Sequence, residues 1–114
     1  ILQIAKKNNI VINEGTYTFT TGPTYETQAE IKEIIDLGGD AVGMSTFPEF
    51  ITSKKLNLNS IFISCLTNYG AGLIDEKITH EDVLLNAKKS KINFCKLISE
   101  IIKNISENWG TKKN

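Results

Sequence analysis

The sequence predicts an α/β domain in which a largely parallel sheet is flanked by helices and a long helix closes the chain. Runs rich in β-branched and aromatic residues alternate with segments whose apolar residues recur at helical spacing. The chain has 114 residues, 40% of them hydrophobic, and this length favours a single core. In sheets of this kind, ligands bind beyond the carboxyl ends of the strands.

The first elements follow from local patterns. Residues 1–7 have the pattern of the end of a helix, and residues 11–21 alternate as a strand does. Thr27 and Glu30 have the spacing of a capping box, which marks the start of a helix. The glycine pair at 38–39 is predicted to end that helix.

The second half continues the alternation. A short buried strand is predicted over 41–44, a helix over 47–56 and a third strand over the apolar run 60–66. Thr79 and Asp82 resemble a second capping motif. The last predicted element is a long helix that ends near Trp109 and carries one apolar stripe: Val83, Leu84, Ala87, Phe94, Ile98, Ile101 and Ile105.

The charge pattern argues against several classes of partner. Thirteen basic and thirteen acidic residues leave no formal net charge, and no basic stripe is present that would bind nucleic acid or an anionic membrane. The apolar run 60–66 is far shorter than the ~20 residues that cross a bilayer. No signal peptide opens the sequence, so we expect a soluble, cytoplasmic protein.

The cysteines and basic residues limit the chemistry. Cys65 and Cys95 have no second metal-ligand residue at a suitable spacing, so buried free thiols are expected and no metal site is predicted. Every basic residue is lysine or the single histidine, because the sequence contains no arginine. An anion site on this chain would therefore use lysine, hydroxyl or backbone N–H groups.

Polar residues follow each of the three predicted strands. Because the carboxyl ends of parallel strands share one edge of a sheet, we expect these residues to converge on a small polar ligand. The candidate residues after the three strands are Tyr25 and Glu26, Met44 and Ser45, and Thr67 and Asn68.

Each candidate residue also has an interpretation that involves no ligand. Glu26 is an acid at a position that the helix dipole favours, and Ser45 or Thr46 would cap the next helix. The others would be a turn former, a solvated histidine and two half-buried aromatic residues, namely Asn68, His80, Tyr17 and Tyr25.

Taken together, three segments closely resemble the trimeric purine nucleoside phosphorylases: GTYTFTTGPTYET, GGDAVGMSTFPE and SCLTNYGAGL, followed by THEDVL. The resemblance implies a mixed, largely parallel sheet in a three-layer α/β/α fold. It also implies phosphorolysis of purine (deoxy)ribonucleosides such as inosine and guanosine, giving a free base and (deoxy)ribose 1-phosphate in purine salvage. Residues 1–114 would be the C-terminal portion of one such domain, without its N-terminal portion.

The resemblance assigns base-binding roles to matching positions. Glu26 and Asn68 would hold the purine, with the Glu26 carboxylate on N1–H and the Asn68 amide as the catalytic donor to N7 and the 6-oxygen. Tyr25 would lie against the base, where the family often has phenylalanine. Val42 and Met44 would flank the base and the sugar.

The resemblance also places the sugar and the phosphate. Ser45 would donate to phosphate, His80 would bind the sugar 5′-hydroxyl, Tyr17 would wall the sugar pocket and Thr67 would contribute to substrate binding. Inorganic phosphate would be a co-substrate, no cofactor is expected, and the full-length protein would be a homotrimer.

The family holds phosphate mainly with residues from its N-terminal part, including an arginine. This chain alone is therefore expected to be inactive.

Two alternatives stay open. Methylthioadenosine phosphorylases are related, but their pattern has aspartate at position 68 and no glutamate at position 26. The second alternative, from a different class, is a non-catalytic purine-binding or structural remnant.

Overall fold

A computed structural model describes residues 1–75 and 79–108. Strands and helices alternate in the first part of the chain, and a long helix follows, so the predicted α/β class is confirmed. In chain order the elements are α1 (Leu2–Lys7), β1 (Tyr17–Phe19), α2 (Gln28–Asp36), β2 (Ala41–Gly43), α3 (Phe47–Lys55) and α4 (His80–Asn108).

The two strands form a parallel pair. Tyr17 of β1 lies opposite Ala41 of β2, and the pairing continues along both strands to Phe19 and Gly43. The Thr20 N–H donates to the Gly43 carbonyl at 3.0 Å, one residue beyond β1. Parallel pairing brings the carboxyl ends of both strands to the same edge, where the polar segments begin.

Helix α2 begins and ends as its sequence predicts. The Thr27 hydroxyl accepts from the Glu30 N–H, and the Glu30 carboxylate accepts from the Thr27 N–H, so the capping box is confirmed. The Thr27 N–H and the Thr27 hydroxyl both donate to the Glu30 carboxylate, and these two bonds hold the pKa of Glu30 below its usual value. At the other end Gly38 has φ 86°, and the Gly39 N–H donates to the Ile34 carbonyl. A left-handed glycine with this bond is a Schellman termination.

Aromatic side chains connect the sheet to α3. The Phe19 ring of β1 stacks on Phe47 with centroids 5.2 Å apart, and Phe47 is followed by Phe50 at 6.4 Å. Phe50 meets Phe62 edge to face at 5.7 Å. This row of rings fixes α3 and the segment around Phe62 against β1.

Helix α4 packs on the first helix of the chain. Ala5 of α1, Ile10 and Leu97 of α4 form a buried apolar cluster, and Leu97 is only 2% exposed. The predicted capping motif at the start of α4 is also present, because the Thr79 hydroxyl accepts from the Asp82 N–H at 3.2 Å. Within the described residues, no helix is long and apolar enough to cross a membrane.

The structure corrects three predictions. Residues 60–66 form no strand, because within the described residues β1 and β2 pair only with each other. The strand predicted over 11–21 is limited to Tyr17–Phe19 for the same reason: alternation does not supply a pairing partner. Cys65 and Cys95 are free thiols as predicted, but they are exposed rather than buried. The predicted helix end near Trp109 lies outside the described residues.

Candidate active site

A cavity of about 880 Å³ opens beyond the carboxyl ends of β1 and β2. Its volume lies in the range of small-molecule sites. All three polar segments reach it, together with α2 and the start of α4. The candidate site residues among its lining are Tyr25, Glu26, Val42, Met44, Thr67 and Asn68.

Glu26 lies just before α2, and its carboxylate is oriented by Thr20, one residue beyond β1. The Thr20 hydroxyl donates to Glu26 Oε1 at 2.6 Å in a partly buried position. The N-cap of α2 is Thr27, so Glu26 is outside the helix. Among the described residues Oε2 has no hydrogen-bond partner, which leaves one carboxylate oxygen for a ligand with an N–H group.

Asn68 lies in a chain of hydrogen bonds that crosses to α4. The Thr67 hydroxyl donates to Asn68 Oδ1 at 2.7 Å, and Asn68 Nδ2 donates to the Tyr69 carbonyl at 2.9 Å. The Thr67 carbonyl in turn accepts from Nδ2 of Asn86 at 2.7 Å. The first turns of α4 therefore hold the backbone that carries the Asn68 amide.

Met44 approaches the exit of β1 closely. A Cβ atom added at Gly22 would lie 2.6 Å from Met44 Sδ, so a larger residue there would collide with the thioether. Gly22 also has φ 66°, a conformation that glycine adopts without strain. The sequence thus brings the β1 and β2 exits into direct contact at the cavity.

Ser45 lies beside the cavity lining and is held by its backbone. Its carbonyl accepts from the Tyr17 hydroxyl at 3.0 Å and from the Phe47 N–H at 2.9 Å. The second bond closes a γ-turn around Thr46, which has φ 78°. Thr46 occupies the N-cap position of α3 without a side-chain capping bond, so the capping alternative does not hold for its hydroxyl. The wall role predicted for Tyr17 stays a prediction.

His80 is the first residue of α4 and is exposed. Its Nδ1 atom lies 3.5 Å from the Tyr25 hydroxyl. The ring is thus at the edge of the cavity, next to a residue that lines it. Tyr25 and His80 are 55 positions apart in the sequence, and the fold brings their polar atoms together.

Sequence reasoning missed the residues that orient the candidates. Thr20 fixes Glu26, and Asn86 fixes the Thr67 carbonyl. Asp82 and Val83 also line the cavity with Asn86. Residues 82, 83 and 86 share one helical face, and this spacing was available in the sequence. The sequence patterns assign Val83 to the apolar stripe and Asp82 to the capping motif, and neither pattern indicates a role for Asn86.

Comparisons with known proteins identify the family of this chain. A family model described as the phosphorylase superfamily matches residues 1–103. Purine nucleoside phosphorylase 1 of Geobacillus stearothermophilus is 40% identical over 105 residues, which cover 92% of this chain and 38% of that protein. Purine nucleoside phosphorylase 1 of Bacillus subtilis is 43% identical over 100 residues, covering 88% of this chain and 37% of that protein.

A solved structure shows the same similarity. The crystal structure of Schistosoma mansoni purine nucleoside phosphorylase in complex with inosine superposes with a TM-score of 0.75 at 31% identity. The match covers 85% of this chain and 37% of that chain. The chain therefore spans well under half the length of the curated relatives it matches. Because the family model covers nearly all of its residues, the chain belongs to the phosphorylase superfamily.

Proposed function

We propose that the protein containing this chain is a purine nucleoside phosphorylase acting on 6-oxopurine nucleosides such as inosine and guanosine in purine salvage. It would use inorganic phosphate as co-substrate and release a free base and (deoxy)ribose 1-phosphate. The observation that carries the proposal is one cavity lined both by Glu26, which follows β1, and by Asn68, which follows the apolar run 60–66. A carboxylate and an amide suit the two edges of a 6-oxopurine.

Base recognition follows from the hydrogen bonds already present. Thr20 engages Oε1 of Glu26, so Oε2 accepts from N1–H of a 6-oxopurine. Asn68 Nδ2 donates to the Tyr69 carbonyl in this structure. When the base binds, rotation of the amide presents Nδ2 to N7 and the 6-oxygen. Tyr25 packs against the face of the base.

The chemistry requires a donor where charge develops. Cleavage of the glycosidic bond moves an electron pair onto the purine while the sugar becomes oxocarbenium-like and phosphate attacks C1′. A donor aimed at N7 stabilises that charge most in the transition state. Asn68 supplies this donor, and Glu26 fixes the orientation of the base during attack.

The sugar and phosphate lie on the other side of the cavity. Val42 and Met44 flank the base and the sugar, with Met44 against the ribose. Tyr17 forms part of the wall of the sugar pocket, and His80 binds the 5′-hydroxyl. Ser45 donates to phosphate. A single serine does not balance a phosphate dianion, so residues outside this chain complete the phosphate site. No metal or cofactor takes part in the proposed reaction.

We propose that residues 1–114 are the C-terminal portion of a single domain in a cytoplasmic homotrimer. Burial supports the first part of this proposal. Four hydrophobic residues are buried among those described, which is a small core. A complete domain of this length buries roughly two thirds of its unfolded surface, and that requires a larger core. Large apolar side chains are exposed along two segments: Leu58, Ile61, Phe62, Leu66, Leu84, Leu85 and Ile92. The rest of the domain would cover them.

Separate assays of the complete protein and of the 114-residue chain test the proposed function. We expect the complete protein to cleave inosine only when phosphate is present, and the 114-residue chain alone to show no turnover. Glu26→Gln in the complete protein removes the charge but keeps the shape, and we expect it to lower kcat/KM for inosine. A preference for 5′-methylthioadenosine would support the methylthioadenosine phosphorylase alternative. Hypoxanthine binding without turnover would support the non-catalytic remnant.

A further inference from the structure

The Tyr25 side chain joins the cavity to the start of α4. Tyr25 lines the cavity and is 50% exposed. Its hydroxyl lies 3.5 Å from Nδ1 of His80, at the first turn of α4. One side chain therefore reaches from the place proposed for the base to the place proposed for the sugar 5′ end.

The two polar groups are complementary in either form of the histidine. A neutral imidazole has one donor and one acceptor nitrogen, and a phenolic hydroxyl both donates and accepts. If Nδ1 is unprotonated, Tyr25 donates to it; if Nδ1 carries the proton, the Tyr25 oxygen accepts. At 3.5 Å the pair is at the outer limit of a hydrogen bond, so a third hydroxyl can enter at little cost.

A substrate hydroxyl beside these two groups can contact both of them at once. A 5′-hydroxyl can donate to one partner and accept from the other, so both would be satisfied. A 5′-deoxy or 5′-alkylthio group offers no comparable donor and would leave the pair without its bridge. A phenylalanine at position 25 would cover the base equally well, but it would provide only His80 for the hydroxyl.

We propose that the Tyr25 hydroxyl acts with His80 as a two-point site that selects purine nucleosides with a free 5′-hydroxyl. The assignment rests on the proposed phosphorylase function. It adds a specificity role for the Tyr25 hydroxyl, beyond packing of its ring against the base.

The test is a double-mutant cycle in the complete protein. Tyr25→Phe, His80→Ala and the double variant are assayed with inosine and with 5′-deoxyinosine. We expect Tyr25→Phe to lower kcat/KM for inosine by about 3- to 10-fold, the range of one neutral hydrogen bond. Its effect on 5′-deoxyinosine should stay below about twofold. In the double variant the losses with inosine should be less than multiplicative, because both residues act on one group.

A matched control separates this role from general damage to the cavity. Tyr69 also lines the cavity, and Tyr69→Phe removes a phenolic hydroxyl without changing the Tyr25–His80 pair. We expect it to change both substrates alike. Equal losses on both substrates for Tyr25→Phe, or multiplicative losses in the double variant, would overturn the two-point site. Failure of the unmodified protein to cleave either substrate would instead overturn the proposed function.

Discussion

Asn86 offers the sharpest test of how the cavity is built. Its Nδ2 atom donates to the Thr67 carbonyl at 2.7 Å, and this bond links α4 to the segment that carries Asn68. Leucine has nearly the shape of asparagine but has no donor. We therefore expect Asn86→Leu to let the segment around Thr67 shift and to weaken binding of a 6-oxopurine base.

The magnitude follows from the burial of the bond. Leaving a buried acceptor without its partner costs about 1–3 kcal/mol. Thr67 and Asn86 are only partly buried, so water replaces part of the lost bond and the lower end applies, about 1 kcal/mol. This corresponds to about a fivefold higher dissociation constant for the base.

The assay is calorimetric titration of the complete protein with hypoxanthine. Lys89→Met is the matched control, because Lys89 Nζ donates to the other end of the same amide, Asn86 Oδ1, at 3.2 Å. We expect that control to leave the affinity within about twofold, since the bond from Asn86 to Thr67 remains. Unchanged hypoxanthine affinity in Asn86→Leu would refute the view that α4 positions the Asn68 segment.

Three further predictions concern the site and the helix beside it. Asn68→Asp replaces a donor by acceptors, so the ratio of kcat/KM for adenosine over inosine should rise at least about 10-fold; a retained preference for inosine would remove Asn68 from the base site. Gly43→Ala should lower activity by displacing the Tyr17 side chain, because an added Cβ would collide with the Tyr17 hydroxyl. This prediction would be contradicted by a structure of the variant in which Tyr17 still donates to the Ser45 carbonyl. The pKa of Glu30 is lowered by hydrogen bonds from Thr27, so its contribution to stability is present above the ordinary glutamate pKa and is lost as the pH falls through the lowered value. Thermal melting from about pH 6 to about pH 3 should therefore show a steeper decline for the unmodified protein than for Glu30→Gln, and parallel curves would contradict it.

Sequence reasoning succeeded where a feature depends on a few neighbouring residues. The capping box of Thr27 and Glu30 and the capping motif of Thr79 and Asp82 join a side chain to a backbone N–H three residues away. At the end of α2, next to the left-handed Gly38, the local bonds join backbone groups, such as the Gly39 N–H and the Ile34 carbonyl. Such contacts are encoded within one helical turn, so spacing alone identifies them.

The failures involve partners that are distant along the chain. The apolar run 60–66 has strand composition, but a strand also requires an edge to pair with. The exposure of Cys65 and Cys95 likewise depends on which elements cover them. The cavity shows both cases. Topology predicted that the three polar segments meet, but the contribution of Asn86 depends on a contact between α4 and the Thr67 carbonyl, 19 residues away along the chain.

The residues predicted from sequence and those missed have different functions in the site. Glu26 and Asn68 carry groups proposed to contact substrate and were predicted. The residues that orient them, Thr20 for Glu26 and Asn86 for the segment of Asn68, were missed. Family motifs identify the first set because the chemistry fixes their residue types. A positioning residue has only to supply one donor at one place, so several residue types can serve and the residue type alone does not indicate this role. Substitution of Thr20 or Asn86 is therefore expected to change the placement of Glu26 or of the Asn68 segment, while the groups proposed to contact substrate stay the same.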